Sequence, residues 1–117
     1  MMVLALWLGA CAAPTFTEVR DDILLPSCSL GTSCHSEGAG GLTLTAEGAY
    51  DALVGVESVV ADGEILVIAG DAENSYLIKK VEGADGIVGD GMPLGTTLDQ
   101  ELSDELRDWI DAGAEND

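Results

Sequence analysis

The sequence predicts an all-α domain, a bundle of about four short helices joined by glycine-rich loops. Three observations lead there. Near the C-terminus Leu102, Leu106, Trp109 and Ile110 fall at i, i+4, i+7 and i+8, one apolar face of a helix. Near the start, Phe16, Val19 and Ile23 recur at helical spacing behind "TFTE", residues 15–18, which fits a capping box. Between them lie "EGAGG" (37–41) and "EGADGIVGDGMPLG" (82–95), the second with five glycines, and both read as irregular connectors.

The elements follow in order. The first helix is expected near Phe16 to Leu25, with Thr15 as cap, Glu18 reaching back, Leu24 flanking the apolar face, and Pro26 as the stop. A second is expected over Ala46 to Val54, capped by Thr45, with Tyr50, Leu53 and Val54 on one face. "EILVIAGD" (64–71) is an apolar run without helical period and reads as extended and buried. Asp71 is placed to cap a third helix, Ala72 to Val81, whose apolar residues are Tyr76, Leu77 and Val81. Asp99 is placed to cap the last helix and Gly113 to end it. The whole is one domain, residues 17–117. Its core is modest. Beyond the first ten residues only Phe16, Tyr50, Tyr76 and Trp109 are aromatic, and there are 15 glycines. Such a chain benefits from a covalent staple or a large apolar cofactor.

Residues 1–10 are apolar and run into Leu8-Gly9-Ala10-Cys11. The run is shorter than the roughly 20 residues a membrane-spanning helix needs. It has the character of an export signal. No Lys or Arg precedes it, so an export signal of the usual form would begin further upstream. Leu-Gly-Ala-Cys resembles a bacterial lipobox, which implies cleavage before Cys11, lipidation of that cysteine, and residues 11–16 as a tether. By the same resemblance Ala12, where a retention signal would place Asp, implies the outer membrane. The alternative is an ordinary signal peptide with an incidental cysteine. Either way the protein is expected to be exported, to the periplasm or, lipid-anchored, to the outer membrane. There Cys28 and Cys34 would bridge each other, bind something or carry a thioether.

The charge excludes one class of partner. Asp and Glu number 22 against 4 Lys and Arg, a formal net charge of −18, and all of it lies after Cys11. A phosphate backbone would be repelled, so no nucleic acid is expected. The same charge suits solubility in a salty medium, a cation, or a protein with a basic surface.

Chemistry concentrates in "CSLGTSCH", residues 28–35. His35 is the only histidine and follows Cys34 directly. Met92 is the only methionine besides Met1 and Met2, and it sits before Pro93 in a glycine-rich loop. A loop-borne Met-Pro differs from the usual core methionine that fills gaps. A zinc site would have Cys28, Cys34 and His35, short of the usual four ligands in two spaced pairs. Neither "DAENS" (71–75) nor "EGADGIVGDG" (82–91) matches a calcium-binding EF-hand loop. There is no Gly-x-Ser-x-Gly and no His-Glu-x-x-His, and an adjacent Cys34–His35 pair is poorly disposed as nucleophile and base, so the chain does not read as an enzyme.

The order helix, Cys-Cys-His, mixed region, Met-Pro loop and terminal amphipathic helix resembles small monohaem c-type cytochromes of class I. The resemblance runs from Phe16 to Ala114 and is carried by "FTEVRDDIL", "AGDAENSYLIKKVEG", "GMPLG" and "LDQELSDELRDWIDAGA". It implies a cytochrome c-like bundle that holds haem c covalently through Cys28 and Cys34, with His35 and Met92 as the axial ligands of the iron. It also implies that the terminal helix crosses the first, bringing Trp109 near Phe16, and that these two with Tyr50 and Leu77 surround the haem. The function implied is electron transfer with a redox partner protein that has a basic docking surface. The sequence departs from the family at one point. In the standard Cys-x-x-Cys-His motif the first cysteine would stand at position 31, which is Gly31, and Cys28 comes three residues earlier. Three outcomes stay open: both cysteines attach haem around a bulged loop, Cys34 alone attaches it, or Cys28 and Cys34 form a disulfide in a cytochrome-like lipoprotein whose haem is non-covalent or absent, the haemless form having a binding or structural role.

Overall fold

A computed structural model describes residues 13–28, 35, 41–93 and 96–117. The apolar N-terminal stretch with Cys11, read above as an export signal, and most of the cysteine loop, including Cys34, lie outside the described residues. Within them the chain is helical: α1 (Phe16–Val19) passes directly into a π-helical segment (Arg20–Cys28), and α2 (Ala49–Leu53), α3 (Tyr76–Glu82) and α4 (Gln100–Asp111) follow. Among the described residues β-structure is limited to two isolated bridges, Val54 with Val67 and Glu57 with Ile65. No helix among them is long and apolar enough to cross a membrane.

The first helix starts as its sequence requires. Thr15 Oγ1 accepts from the Glu18 amide at 3.1 Å, and Glu18 Oε1 accepts from the Thr15 amide at 2.9 Å. Two of the donors that a helix N-terminus leaves unpaired are thereby satisfied. The expected stop at Pro26 does not occur, because the helix runs on to Cys28. A proline ring in an α-helix clashes with the carbonyl four residues back, and the wider π turn gives that carbonyl room. Cys28 consequently ends a helix whose buried residues are Phe16, Val19, Ile23 and Leu24.

The middle elements are shorter than their periodicity suggests. Thr45 caps a first turn, accepting from the Gly48 amide at 3.2 Å, but the regular α2 begins only at Ala49. The 64–71 run meets its expectation only in part: Ile65 and Val67 form isolated bridges, Val67 alone is fully buried, and the chain turns at 69–70. The run ties to the end of α2 through Gly55 N–H to Val67 O (2.9 Å) and Val67 N–H to Leu53 O (3.2 Å). Asp71 caps a turn at 72–74 through Asn74, and the chain then breaks at Ser75 before α3. The break comes from the neighbouring strand-like segment. Ile68 donates to Ser75 Oγ at 2.8 Å, while the amides of Tyr76 and Leu77 donate to Ile65 O and Leu66 O, each at 2.9 Å. The first N–H groups of α3 therefore find backbone acceptors, and no side-chain cap is used.

The last helix closes the fold. Leu106, Trp109 and Ile110 are buried and Leu102 is half-buried. Asp99 occupies the cap position without a side-chain cap bond. At the other end Gly113, with φ +116°, donates to Ile110 O at 3.0 Å and Ala114 donates to Trp109 O at 2.9 Å. This is a Schellman motif, and glycine suits the unusual φ at its heart. The chain then folds back over α1, where Asp117 Oδ1 accepts from the Phe16 amide at 2.9 Å.

α1 and α4 meet through three rings. Phe16 lies 5.3 Å from Trp109 and 5.2 Å edge-on from Tyr50, centroid to centroid, and Tyr50 lies 6.3 Å from Trp109. Phe16 and Trp109 therefore do adjoin, as expected. They are 5% and 1% exposed, so protein covers both rings.

One contact of this seam titrates. Glu105 on α4 has a buried carboxylate oxygen, Oε2, that no donor reaches. Burial, then the carboxylates of Asp22 and Glu18 on the first helix, push the Glu105 carboxyl up to about 7. The folded state thus keeps a proton that the unfolded chain releases near the ordinary value of 4.5. The stability from that proton is present at low pH and is lost as pH rises through about 7. Glu105→Gln is expected to be more stable than wild type at about pH 8 and to lose the pH slope between about 5 and 8, read by urea melts at fixed salt. A Glu105→Gln protein with the wild-type slope would place the titration elsewhere.

Candidate functional site

The site begins where the first helix ends. Cys28 is half-buried and packs against the core, and its carbonyl accepts from the His35 amide at 2.9 Å. That bond closes the cysteine loop at its base. His35 is gripped again on its far side, where its carbonyl accepts from the Leu44 amide at 2.5 Å. Leu44 is buried in the core at 1% exposure, so the histidine backbone is moored to the interior.

The imidazole is oriented as well. His35 Nδ1 lies 2.9 Å from the carbonyl oxygen of Leu42. A carbonyl can only accept, so Nδ1 carries the hydrogen and the lone pair of the neutral ring belongs to Nε2. This is the arrangement that metal-ligating histidines use to set tautomer and ring direction. Gly41, just before Leu42, has φ +78°, and a Cβ there would stand 2.6 Å from Val59 Cγ2. The turn that delivers the Leu42 carbonyl thus takes a glycine.

Met92 is held by different means. Its amide donates to Lys80 O at 2.9 Å, near the C-terminal end of α3. The preceding Gly91 lies so close to that helix that a Cβ would meet Gly83 Cα at 3.3 Å and Lys80 O at 3.4 Å. Earlier in the loop, Val88 N–H donates to the Tyr76 hydroxyl at 2.8 Å and Val88 O accepts from Lys80 Nζ. Later, Leu98 N–H donates to Val81 O at 3.0 Å. Met92 is half-buried and lies in this loop, clipped to α3. The structure thus brings Cys28 and His35 together and mounts Met92 on a separate element. Cys34 and Cys11, the remaining expected site residues, lie outside the described residues.

A second polar cluster joins α3 to α4. Arg107 holds Glu82 in a two-pronged pair, both contacts at 2.7 Å, and reaches Glu73 at 3.1 Å. Ser103 Oγ donates to Glu82 Oε2 at 2.6 Å. The Arg107 guanidinium, helped by Ser103, holds the Glu82 carboxyl below the usual carboxylate range, and Arg107 is raised in turn. Glu82, Ser103 and Arg107 line an open cleft of about 350 Å³ with Thr97, Leu98 and Gln100. None of Cys28, His35 or Met92 lines it. Its charges are already spent on one another, so it serves to fasten two helices. Among the described residues no group of three or more His, Cys, Asp and Glu side chains is arranged to hold a metal ion.

Sequence reasoning had no means of finding Leu42, because its contribution is a backbone carbonyl. Tyr76 reads as an apolar helix residue, and its hydroxyl is the part that reaches the Met92 loop. The only signal available was its i, i+4 spacing from Lys80, which puts both on one face. No protein-family model matches the chain, and no curated protein or solved structure matches it.

Proposed function

We propose that the protein is a single-haem electron-transfer protein with a cytochrome c-like fold, and that haem c is its cofactor. The observation that carries this reading is the His35 Nδ1 hydrogen bond to Leu42 O, at 2.9 Å, on a residue whose amide is tied to Cys28 O. It puts the lone pair of the neutral ring on Nε2, in the residue next to a cysteine, which is the ligand chemistry a covalent haem needs. His35 and Met92 would be the axial ligands, and Cys28 and Cys34 the points of attachment. The bound group supplies one-electron chemistry at its iron, with a potential raised by His/Met relative to bis-His ligation.

The chain's own residues orient the ligands and shape the encounter. Leu42 O and the Cys28 and Leu44 backbone groups keep His35 from rotating or drifting. The loop on α3 presents Met92 from a second element. The net charge of −18 steers a redox partner with a basic surface, so transfer rates fall as salt rises. Export, with Cys11 as a lipid anchor in the periplasm or outer membrane, belongs to the same reading. The protein is a carrier and not an enzyme.

The loop closure at Cys28 also favours a second reading, a Cys28–Cys34 disulfide in a haemless lipoprotein that binds or supports something else. The deciding experiment is the intact mass of the denatured mature protein, expressed in a host with cytochrome c maturation. An added mass of one haem is the expected result. A mass short by two hydrogens, without haem, would replace the electron-transfer reading with the disulfide one.

A further inference from the structure

The four basic side chains of this acidic chain are Arg20, Lys79, Lys80 and Arg107. Three form ion pairs: Arg20 with Asp21 (2.8 Å), Lys79 with Glu64 (3.0 Å), and Arg107 with Glu82 and Glu73. Lys80 is the exception among the described residues. Its ammonium donates to the backbone carbonyl of Val88. With carboxylates so abundant, an ammonium placed on a neutral carbonyl marks a position where loop geometry decides.

The same residue of the loop is gripped a second time. Val88 N–H donates to the hydroxyl of Tyr76, 2.8 Å away. Tyr76 is itself fixed: it is 4% exposed, and its amide donates to Ile65 O at 2.9 Å. Tyr76 and Lys80 are one helical turn apart on α3, so their side chains reach out side by side. Together they satisfy both backbone groups of Val88. Val88 is 48% exposed, so packing is a minor part of what holds this point of the loop. Four residues on, the chain returns to α3, where Met92 N–H meets Lys80 O at 2.9 Å, with Gly91 passing close to Gly83. The segment between Val88 and Met92 is thereby a short arc with both ends on one helix.

We infer that Tyr76 and Lys80 are positioning residues for Met92: they pin Val88 against α3 and so limit how far the Met92 sulfur can move. The inference rests on the reading of Met92 as an iron ligand. Neither residue touches the iron in this account. Both act through the loop backbone. Freed at Val88, the loop keeps only its return point, and Met92 gives way more readily to a competing ligand.

The test uses Tyr76→Phe and Lys80→Met, which keep the ring and the aliphatic stem and so spare the core. Two readouts apply to the full chain. The first is amide hydrogen exchange at Val88 and Met92 by NMR, which requires no activity. The second is the affinity of added imidazole for the oxidised haem-loaded protein. Each variant is expected to speed exchange at both amides by about tenfold, the worth of one lost hydrogen bond, and to tighten imidazole binding by a similar factor. Faster exchange at Val88 with unchanged Met92 exchange and unchanged imidazole affinity would overturn the positioning role. A haem-loaded protein whose spectrum responds to Met92→Ala, while Tyr76→Phe and Lys80→Met move neither readout, overturns this role alone. A chain that takes up no haem overturns the ligand reading itself, and the role falls with it.

Discussion

Trp109→Ala is expected to cost about 3–5 kcal/mol of folding stability, the range for truncating a buried aromatic residue. Total stabilities of small domains are about 5–15 kcal/mol, so the loss is a large fraction of the whole and brings a domain at the low end of that range close to its unfolding midpoint. The reason is positional. Trp109 is 1% exposed and lies where α1, α2 and α4 meet, 5.3 Å from Phe16 and 6.3 Å from Tyr50 by ring centroid. Its indole N–H also donates to Glu115 O at 3.0 Å, which helps fasten the C-terminal segment. Tyr50 donates from its hydroxyl to Ala114 O at 2.7 Å in the same segment, so the loss would spread to the chain's return over α1. Urea denaturation followed by circular dichroism measures the effect. Trp109→Phe keeps a ring against Phe16 and should cost markedly less. A Trp109→Ala protein within about 1 kcal/mol of wild type would mean that the aromatic cluster is not central to stability.

Met92→Ala is expected to do the opposite: little to stability and everything to the spectrum. Met92 is half-buried and is not a member of the hydrophobic core cluster, which is formed by residues such as Ile23, Leu53, Ile78 and Trp109. Its loop is held by backbone bonds at Val88, Met92 and Leu98 that the substitution leaves in place. The stability loss should stay below about 1 kcal/mol, as for most changes away from the core. If the proposed haem ligation holds, the same change would remove an axial ligand, and the low-spin absorption spectrum of the haem-loaded protein should disappear. Paired measurement of melting and absorption separates the possibilities. Strong destabilisation would make Met92 a packing residue. An unaltered low-spin spectrum would assign the second axial position to another group.

What could be read in the sequence was what depends on residues within about a turn of one another. Thr15 and Glu18 satisfy each other three residues apart, and Gly113 ends α4 through bonds to Ile110 and Trp109. The apolar stripe of α4 is a property of its own period. The candidate site was legible to the same extent, as residue types: a histidine beside a cysteine, and a methionine before a proline in a loop. Pro26 shows the limit, since a local rule ends the helix there and the chain instead widens the turn to carry Cys28 to its end.

Residue order alone was enough for the helical character of the described residues, the acidic charge, and which side chains have the chemistry to bind a metal. The tertiary structure alone decided how they are held. It set the start of α3 at Tyr76, because the carbonyls of Ile65 and Leu66 arrive there as acceptors. It gave His35 its ring orientation through Leu42 O, and it pinned the Met92 loop through Tyr76 and Lys80. The physical reason is common to all three. Each depends on a backbone group brought in by another segment, and every residue type offers the same backbone carbonyl, so no residue pattern announces it.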